Sequence, residues 1–318
     1  MAVPRADSRS AIRYGRGVTP DATPARPSGL PATTTAELPP AVAAALARPD
    51  ADPGQRTTIT AAGIPFSALA WGSPDDRPLL LVHGVTASAR IWWRIGPALA
   101  ASGRRVTAVD LPGHGLTGHW TGHHRFRENA RDLAAWIRAA GLDVPELQVV
   151  GHSWGAMTVA ALPAVGMRPA TLVLVDAPAI PLAVIAPLAS DPSEVSYPDL
   201  AAAEASLTAA NPAWSRGDVR AKAEALIQMD TQAARDVVLE NGDWDGGLAD
   251  MADPAAAGIP FWVVRADSAA GGLVPDAAVP AIAARVGVDH VLTIPGAPHA
   301  PQRTHWVETT AALLQALA

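Results

Sequence analysis

Six short, almost wholly apolar runs recur along the chain with longer helical patterns between them: PLLLV (78–82), RVTAV (105–109), LQVV (147–150), TLVLV (171–175), FWVV (261–264) and HVLTI (290–294). A strand that faces water on one side alternates apolar and polar residues, so unbroken apolar runs of this length belong to strands covered on both faces. The segments between them supply the cover. In FRENARDLAAWIRAAG (126–141), Phe126, Ala130, Leu133, Ile137 and Ala140 share one helical face. Buried strands alternating with helices predict an α/β fold, a parallel sheet flanked by helices on both sides. Ahead of this alternation, TTITA (57–61) and IPFSALAW (64–71) predict a hairpin that turns at Ala62 and Gly63.

The alternation breaks after Pro178. The next helical patterns, DLAAAEASLTAA, RGDVRAKAEALIQM and TQAARDVVLE, enclose no strand pattern, which predicts a helical cap over 180–256 inserted into a core made of 55–179 and 257–318. Residues 1–54 hold nine of the 30 prolines, one aromatic residue (Tyr14) and none of the ten tryptophans. Such a segment buries too little surface to offset its chain entropy. It is expected to be disordered or loosely draped, with a helical turn or two at AVAAALA (41–47).

The total of 318 residues is ample for a core without covalent staples, and the lack of cysteine excludes disulfides, thiolate metal sites and a cysteine nucleophile. A net charge of −6, without like-charge blocks, gives no footprint for nucleic acid. No apolar run approaches the roughly 20 residues of a membrane helix. The expected partner is a small-molecule substrate and the expected setting is cytoplasmic, with neither nucleic acid nor membrane; the oligomeric state stays open.

Where LQVV ends, the chain reads GHSWG (151–155). A serine between two glycines at a sharp strand-to-helix turn is lifted into the open, the geometry of a nucleophile elbow. A hydroxyl becomes nucleophilic only beside a base held in one tautomer by an acid. Of nine histidines, His299 alone follows the last strand on a loop, PGAPHAP, and is the best base for Ser153. Two carboxylates compete for the acid. Asp267 ends the penultimate strand and is preferred, because it gives the order serine, acid, histidine most simply; Asp176 ends the strand after the elbow helix and stays open. Asp276 is a distant third, with an N-cap as its plainer role. Oxyanion donors are expected from the N–H groups of Trp154, which opens the elbow helix, and of Val85 after the HG pair, with Thr86 as neighbour.

Taken together, HGVTAS (83–88), DLPGHG (110–115), GHSWG, LVLVDAP, RAD (265–267) and PGAPH (295–299) resemble, in order, the α/β-hydrolase fold family over about residues 57–318. The resemblance implies an eight-stranded, mostly parallel sheet, a lid inserted after the sixth strand, a serine nucleophile and no cofactor. Proline replaces the usual glycine before the histidine, at Pro298, and the turn after the RAD acid is longer than usual.

The expected activity is hydrolysis of a small to medium, mostly uncharged carboxylic ester or related acyl compound. Lactone, carbon–carbon bond and aminopeptidase chemistry use the same groups, the last with Glu194 or Glu204 holding a substrate amine. A non-catalytic ligand-binding protein of this fold is the reading from another class, and it needs none of the three catalytic groups. His83 and His152 read as structural. The His119, His123, His124 cluster lacks a framing carboxylate or cysteine motif for zinc, and NGDWDGGLADMA (241–252) ends in alanine where a calcium loop needs glutamate. One of Trp92 and Trp93 is expected in the core and the other in the acyl pocket.

Overall fold

The structure, a computed structural model, describes residues 38–118, 122, 124–191, 194, 197–251 and 258–318. Its centre is an eight-stranded sheet: β1 (Gln55–Ala61), β2 (Ile64–Trp71), β3 (Arg77–Val82), β4 (Arg104–Val109), β5 (Gln148–His152), β6 (Thr171–Val175), β9 (Phe261–Arg265) and β10 (Val291–Thr293). The order across the sheet is β1-β2-β4-β3-β5-β6-β9-β10. From β4 to β10 every neighbouring pair is parallel, and β1 and β2 add an antiparallel edge. The hairpin turns where expected, with Ala62 and Gly63 both at positive φ (50° and 79°), as a tight turn matched to strand twist requires.

The apolar runs are explained by their two buried faces. Leu80, Val82, Val149, Leu172, Leu174 and Val263 point to one side. There they meet the helices α3 (Phe126–Ala139) and α4 (Trp154–Ala160). Their neighbours Leu79, Leu81, Val150, Val173 and Val264 point to the other. That side is covered by α2 (Ile95–Ala100) and the terminal helix over Trp306–Ala316.

The helical turn expected at 41–47 is present, but it is packed on the core where a loosely draped segment was expected. Residues 1–37 lie outside the described residues, but α1 (Pro40–Ala47) is a docked helix. Val42 and Leu46, four residues apart and fully buried, pack on Ala98 with Trp306 beside them. Abundant proline and scarce aromatics over the whole segment masked one local apolar stripe.

The insertion after β6 is helical, with α5 (Leu182–Ile185), α6 (Leu200–Ala210), α7 (Arg216–Gln228) and α8 (Thr231–Leu239). Ala203, Leu207, Val219, Ala223 and Leu226 give it a small core of its own. Against expectation it contains strand: β7 (Ala179–Ile180) pairs antiparallel with β8 (Trp244–Asp245), joining its two ends. Two residues per strand are too few to show a period in the sequence.

Candidate active site

The chain leaves β5 at His152 and enters α4 at Trp154, so Ser153 alone must reverse direction. It does so at φ 55°, ψ −122°, a region L residues avoid. The flanking glycines are needed for space. A Cβ on Gly151 would sit 2.4 Å from the Gly155 carbonyl oxygen, and one on Gly155 would sit 2.3 Å from that of His83. The elbow therefore lies directly on the HG loop. Gly155→Ala is expected to cost about 3 kcal/mol, the upper range for overpacking a filled site; the urea midpoint of the variant against the wild type checks it.

His299 reaches Ser153 from the loop after β10. Its Nε2 is 2.9 Å from the Ser153 Oγ and its Nδ1 is 2.7 Å from Oδ2 of Asp176. A carboxylate only accepts, so Nδ1 carries the proton and Nε2 presents its lone pair to the serine hydroxyl.

The acid on His299 is thus Asp176, and the preference for Asp267 is corrected. Asp176 directly follows β6, the neighbour of β5, and is fully buried at φ 43°. Its Oδ1 accepts from the Ala266 N–H at 3.0 Å, and its Oδ2 from the Leu273 N–H at 2.9 Å as well as from His299. Two backbone donors fix the carboxylate before the histidine arrives. Asp267 stands two residues beyond β9 and is spent locally: Oδ1 accepts from Ala269 N–H at 3.0 Å and Oδ2 from Gly296 N–H at 2.9 Å. It pins the loop that carries His299. Asp276 pairs with the buried Arg265 instead of capping a helix. The signal for Asp176 was present in LVLVDAP, an acid placed immediately after a fully apolar strand beside the elbow strand.

Other histidines hold this frame. His152 Nε2–H donates to the His299 carbonyl at 2.8 Å, and burial, then the neighbouring His299 ring, keeps its pKa well below the usual value. His83 donates from Nδ1 to Gly84 O at 2.8 Å and accepts at Nε2 from Leu111 N–H at 3.0 Å. It thereby ties the HG loop to the segment after β4.

A cavity of about 220 Å³ opens over Ser153 and His299, with Val85 and Thr86 on its wall. Ile180, Val184, Ile185 and Leu188 make one side apolar. The rest is charged, with Glu194, Lys222 and Arg303 on the lining. Lys222, the chain's single lysine, donates to the Thr86 carbonyl at 3.0 Å, to the Thr86 hydroxyl at 2.7 Å and to the Glu194 carboxylate. Glu194 is therefore already paired, and Glu204 is paired with Arg220 at 3.0 Å. Burial pulls the Lys222 ammonium below the usual lysine range, against the pull of Glu194. Burial likewise lowers Arg303, opposed by Glu194 and then Asp218. The tryptophan on the lining is Trp244. Trp92 and Trp93 are both buried elsewhere, with the Trp93 indole donating to Asp218 at 3.0 Å.

His119 and His123 lie outside the described residues. In the 241–252 stretch, Asp243 accepts from Leu182 N–H, Asp245 from Gly247 and Ala249 N–H, and Asp250 pairs with Arg127; Ala252 is outside the described residues. Among the described residues no group of three or more metal-ligating side chains gathers, and no helix is long and apolar enough to cross a membrane.

This sheet order fits the class to which the family model assigns the chain: it belongs to the α/β-hydrolase fold family, whose model matches residues 77–239, just over half its length. It is 35% identical over 89 residues to esterase PIR7B of Oryza sativa subsp. japonica (28% of this chain, 33% of that protein). It is 31% identical over 90 residues to polyneuridine aldehyde esterase of Rauvolfia serpentina (28% and 34%). These matches span about a third of the relatives' length. Among solved structures, E-2-(acetamidomethylene)succinate hydrolase superposes with a TM-score of 0.69 at 22% identity, over 83% of this chain and 99% of that one. Identity that low shows a shared fold.

Proposed function

We propose that the protein is a serine hydrolase that cleaves a small to medium carboxylic ester, or a related acyl compound, through an acyl-enzyme. The observation that carries this reading is the unbroken hydrogen-bonded chain from Asp176 through His299 to Ser153, opening on a cavity. In the reaction His299 Nε2 takes the Ser153 proton as Oγ bonds to the substrate carbonyl carbon. Asp176 holds the resulting imidazolium. The carbonyl oxygen becomes an oxyanion, for which Trp154 and Val85 are the N–H donors in this reading. Trp154 is the first residue of α4, where no intrahelical acceptor exists for its N–H. Collapse breaks the ester bond, and the leaving alkoxide receives the proton from His299. Water then gives a proton to His299 and hydroxide to the acyl carbon, and the Ser153 alkoxide, expelled as the acid is freed, takes that proton back from His299.

The aminopeptidase alternative loses support, because the acids that would hold a substrate amine are paired with Lys222 and Arg220. The test is labelling by a fluorophosphonate together with hydrolysis of p-nitrophenyl butyrate. One label per chain on Ser153, with parallel loss of turnover and no label on Ser153→Ala, is expected. Turnover that survives complete labelling, or labelling at another residue, sinks the reading.

A further inference from the structure

Of the three charged side chains on the cavity lining, two neutralise each other inside the fold. Lys222 and Glu194 pair and both hold the Thr86 hydroxyl. Arg303 differs. No carboxylate lies within ion-pairing distance of its guanidinium among the described residues, and its side-chain partner is the Trp214 ring, 4.6 Å from Cζ to the centroid. The acids that influence it are engaged elsewhere: Glu194 with Lys222, and Asp218 with the Ser215 hydroxyl at 2.5 Å and the Trp93 indole at 3.0 Å.

A guanidinium stays charged, and its five N–H donors have to be met by something. Water meets them on an open surface. Here the group faces the reaction cavity, four positions after His299 on the short helix Pro301–Thr304, at a fixed offset from the base. Stacking on Trp214 covers a face of the plane and leaves the N–H edges for a ligand. A planar fork matches a carboxylate bidentately, and the lining carries one cation in excess, which a monoanion balances.

We propose that Arg303 is the substrate-recognition residue of this cavity and binds a free carboxylate, so that the substrate is an acyl compound carrying a second, unreacted carboxylate. This rests on the hydrolase reading and replaces the expectation of a mostly uncharged ester. The carboxylate belongs either to the acyl chain or to the leaving group, and the arms of the test separate the two.

Monomethyl succinate, glutarate and adipate are compared with methyl butyrate, pentanoate and hexanoate for the first arm. The acetyl esters of 4-hydroxybutyrate and of butanol form the second. At least one charged ester should exceed its neutral counterpart about tenfold in kcat/KM, and that ratio should fall at least 30-fold in Arg303→Met, mainly through KM, with a smaller fall in Arg303→Lys. Charge-assisted hydrogen bonds lost at a recognition site give changes of that order. A ratio near one in the wild type, or a ratio that survives Arg303→Met in a variant shown to be folded by circular dichroism, overturns the proposal. Titration of glutarate into Ser153→Ala by calorimetry is independent of turnover. Binding lost in the Ser153→Ala, Arg303→Met double variant supports the anion site even where no ester is cleaved, whereas active enzyme that ignores glutarate sinks this inference and leaves the hydrolase reading standing.

Discussion

Ser153→Ala should lower kcat on the best ester by about a million-fold and Asp176→Asn by about ten-thousand-fold, the scale seen when serine-hydrolase triads are dismantled, while Asp267→Asn should stay within about tenfold. The ranking follows from what each oxygen does. Asparagine at 176 keeps the shape and can still accept the Ala266 N–H at Oδ1, but it places an amide N–H opposite His299 Nδ1. The imidazole answers by moving its proton to Nε2, where it faces the Ser153 hydroxyl as a donor and can no longer take a proton. Asp267 contacts no reacting group. Its loss frees the Gly296 N–H and loosens the loop before His299, a positional effect. Steady-state kinetics on the three variants decides. Equal damage from Asp267→Asn and Asp176→Asn would return the acid role to the penultimate strand.

The ambiguity between these carboxylates shows where sequence reading stops. Strand runs such as TLVLV and the elbow GHSWG are local signals, fixed by burial on two faces and by the lack of room for a Cβ at Gly151 and Gly155, so the sheet and Ser153 were legible. His299 was legible by its place after the last strand. Serine, acid, histidine order is satisfied by Asp176 and by Asp267 alike, and the choice depends on which backbone N–H groups claim each carboxylate first. Those donors, at Ala266, Leu273, Ala269 and Gly296, are tertiary facts. Arg303 and Lys222 were illegible for a related reason: an isolated cation on a helical pattern reads as a solvated face until the fold turns it toward the cavity. The helical turn at 41–47 was legible, but its docking through Val42 and Leu46 was not, because the proline-rich composition around them outweighed a stripe of two residues.

Acidification from pH 7.5 to pH 4.5 should remove much of the protein's stability. His83 and His114 are fully buried, and burial lowers their pKa values to about 4 and about 3. Geometry gives the same direction. His83 Nε2 accepts the Leu111 N–H, so a second proton there would set N–H against N–H. His114 donates from Nδ1 to Pro112 O at 3.0 Å, and among the described residues its Nε2 has no acceptor where it packs against the rings of His83 and Trp154. After burial, His114 also feels His83 and His124, which lower it further, and Asp110, which raises it. In the unfolded chain both imidazoles titrate near 6.5. Below that pH the unfolded state binds more protons, so unfolding free energy falls with pH until the folded values are reached. At pH 4.5 each histidine has cost about 2–3 kcal/mol at about 1.4 kcal/mol per pH unit, a large share of the roughly 5–15 kcal/mol that a domain has. Buried Asp110, whose pKa desolvation raises, contributes with the opposite sign as it protonates. His114→Asn, which keeps a donor for Pro112 O, isolates one imidazole: its loss of stability between the two pH values, read from urea midpoints, should be smaller than the wild type's by about 2–3 kcal/mol. Equal losses in the two proteins would mean that His114 is already protonated in the fold, and with it the buried wall behind Trp154 would have to contain an acceptor that its neighbours do not supply.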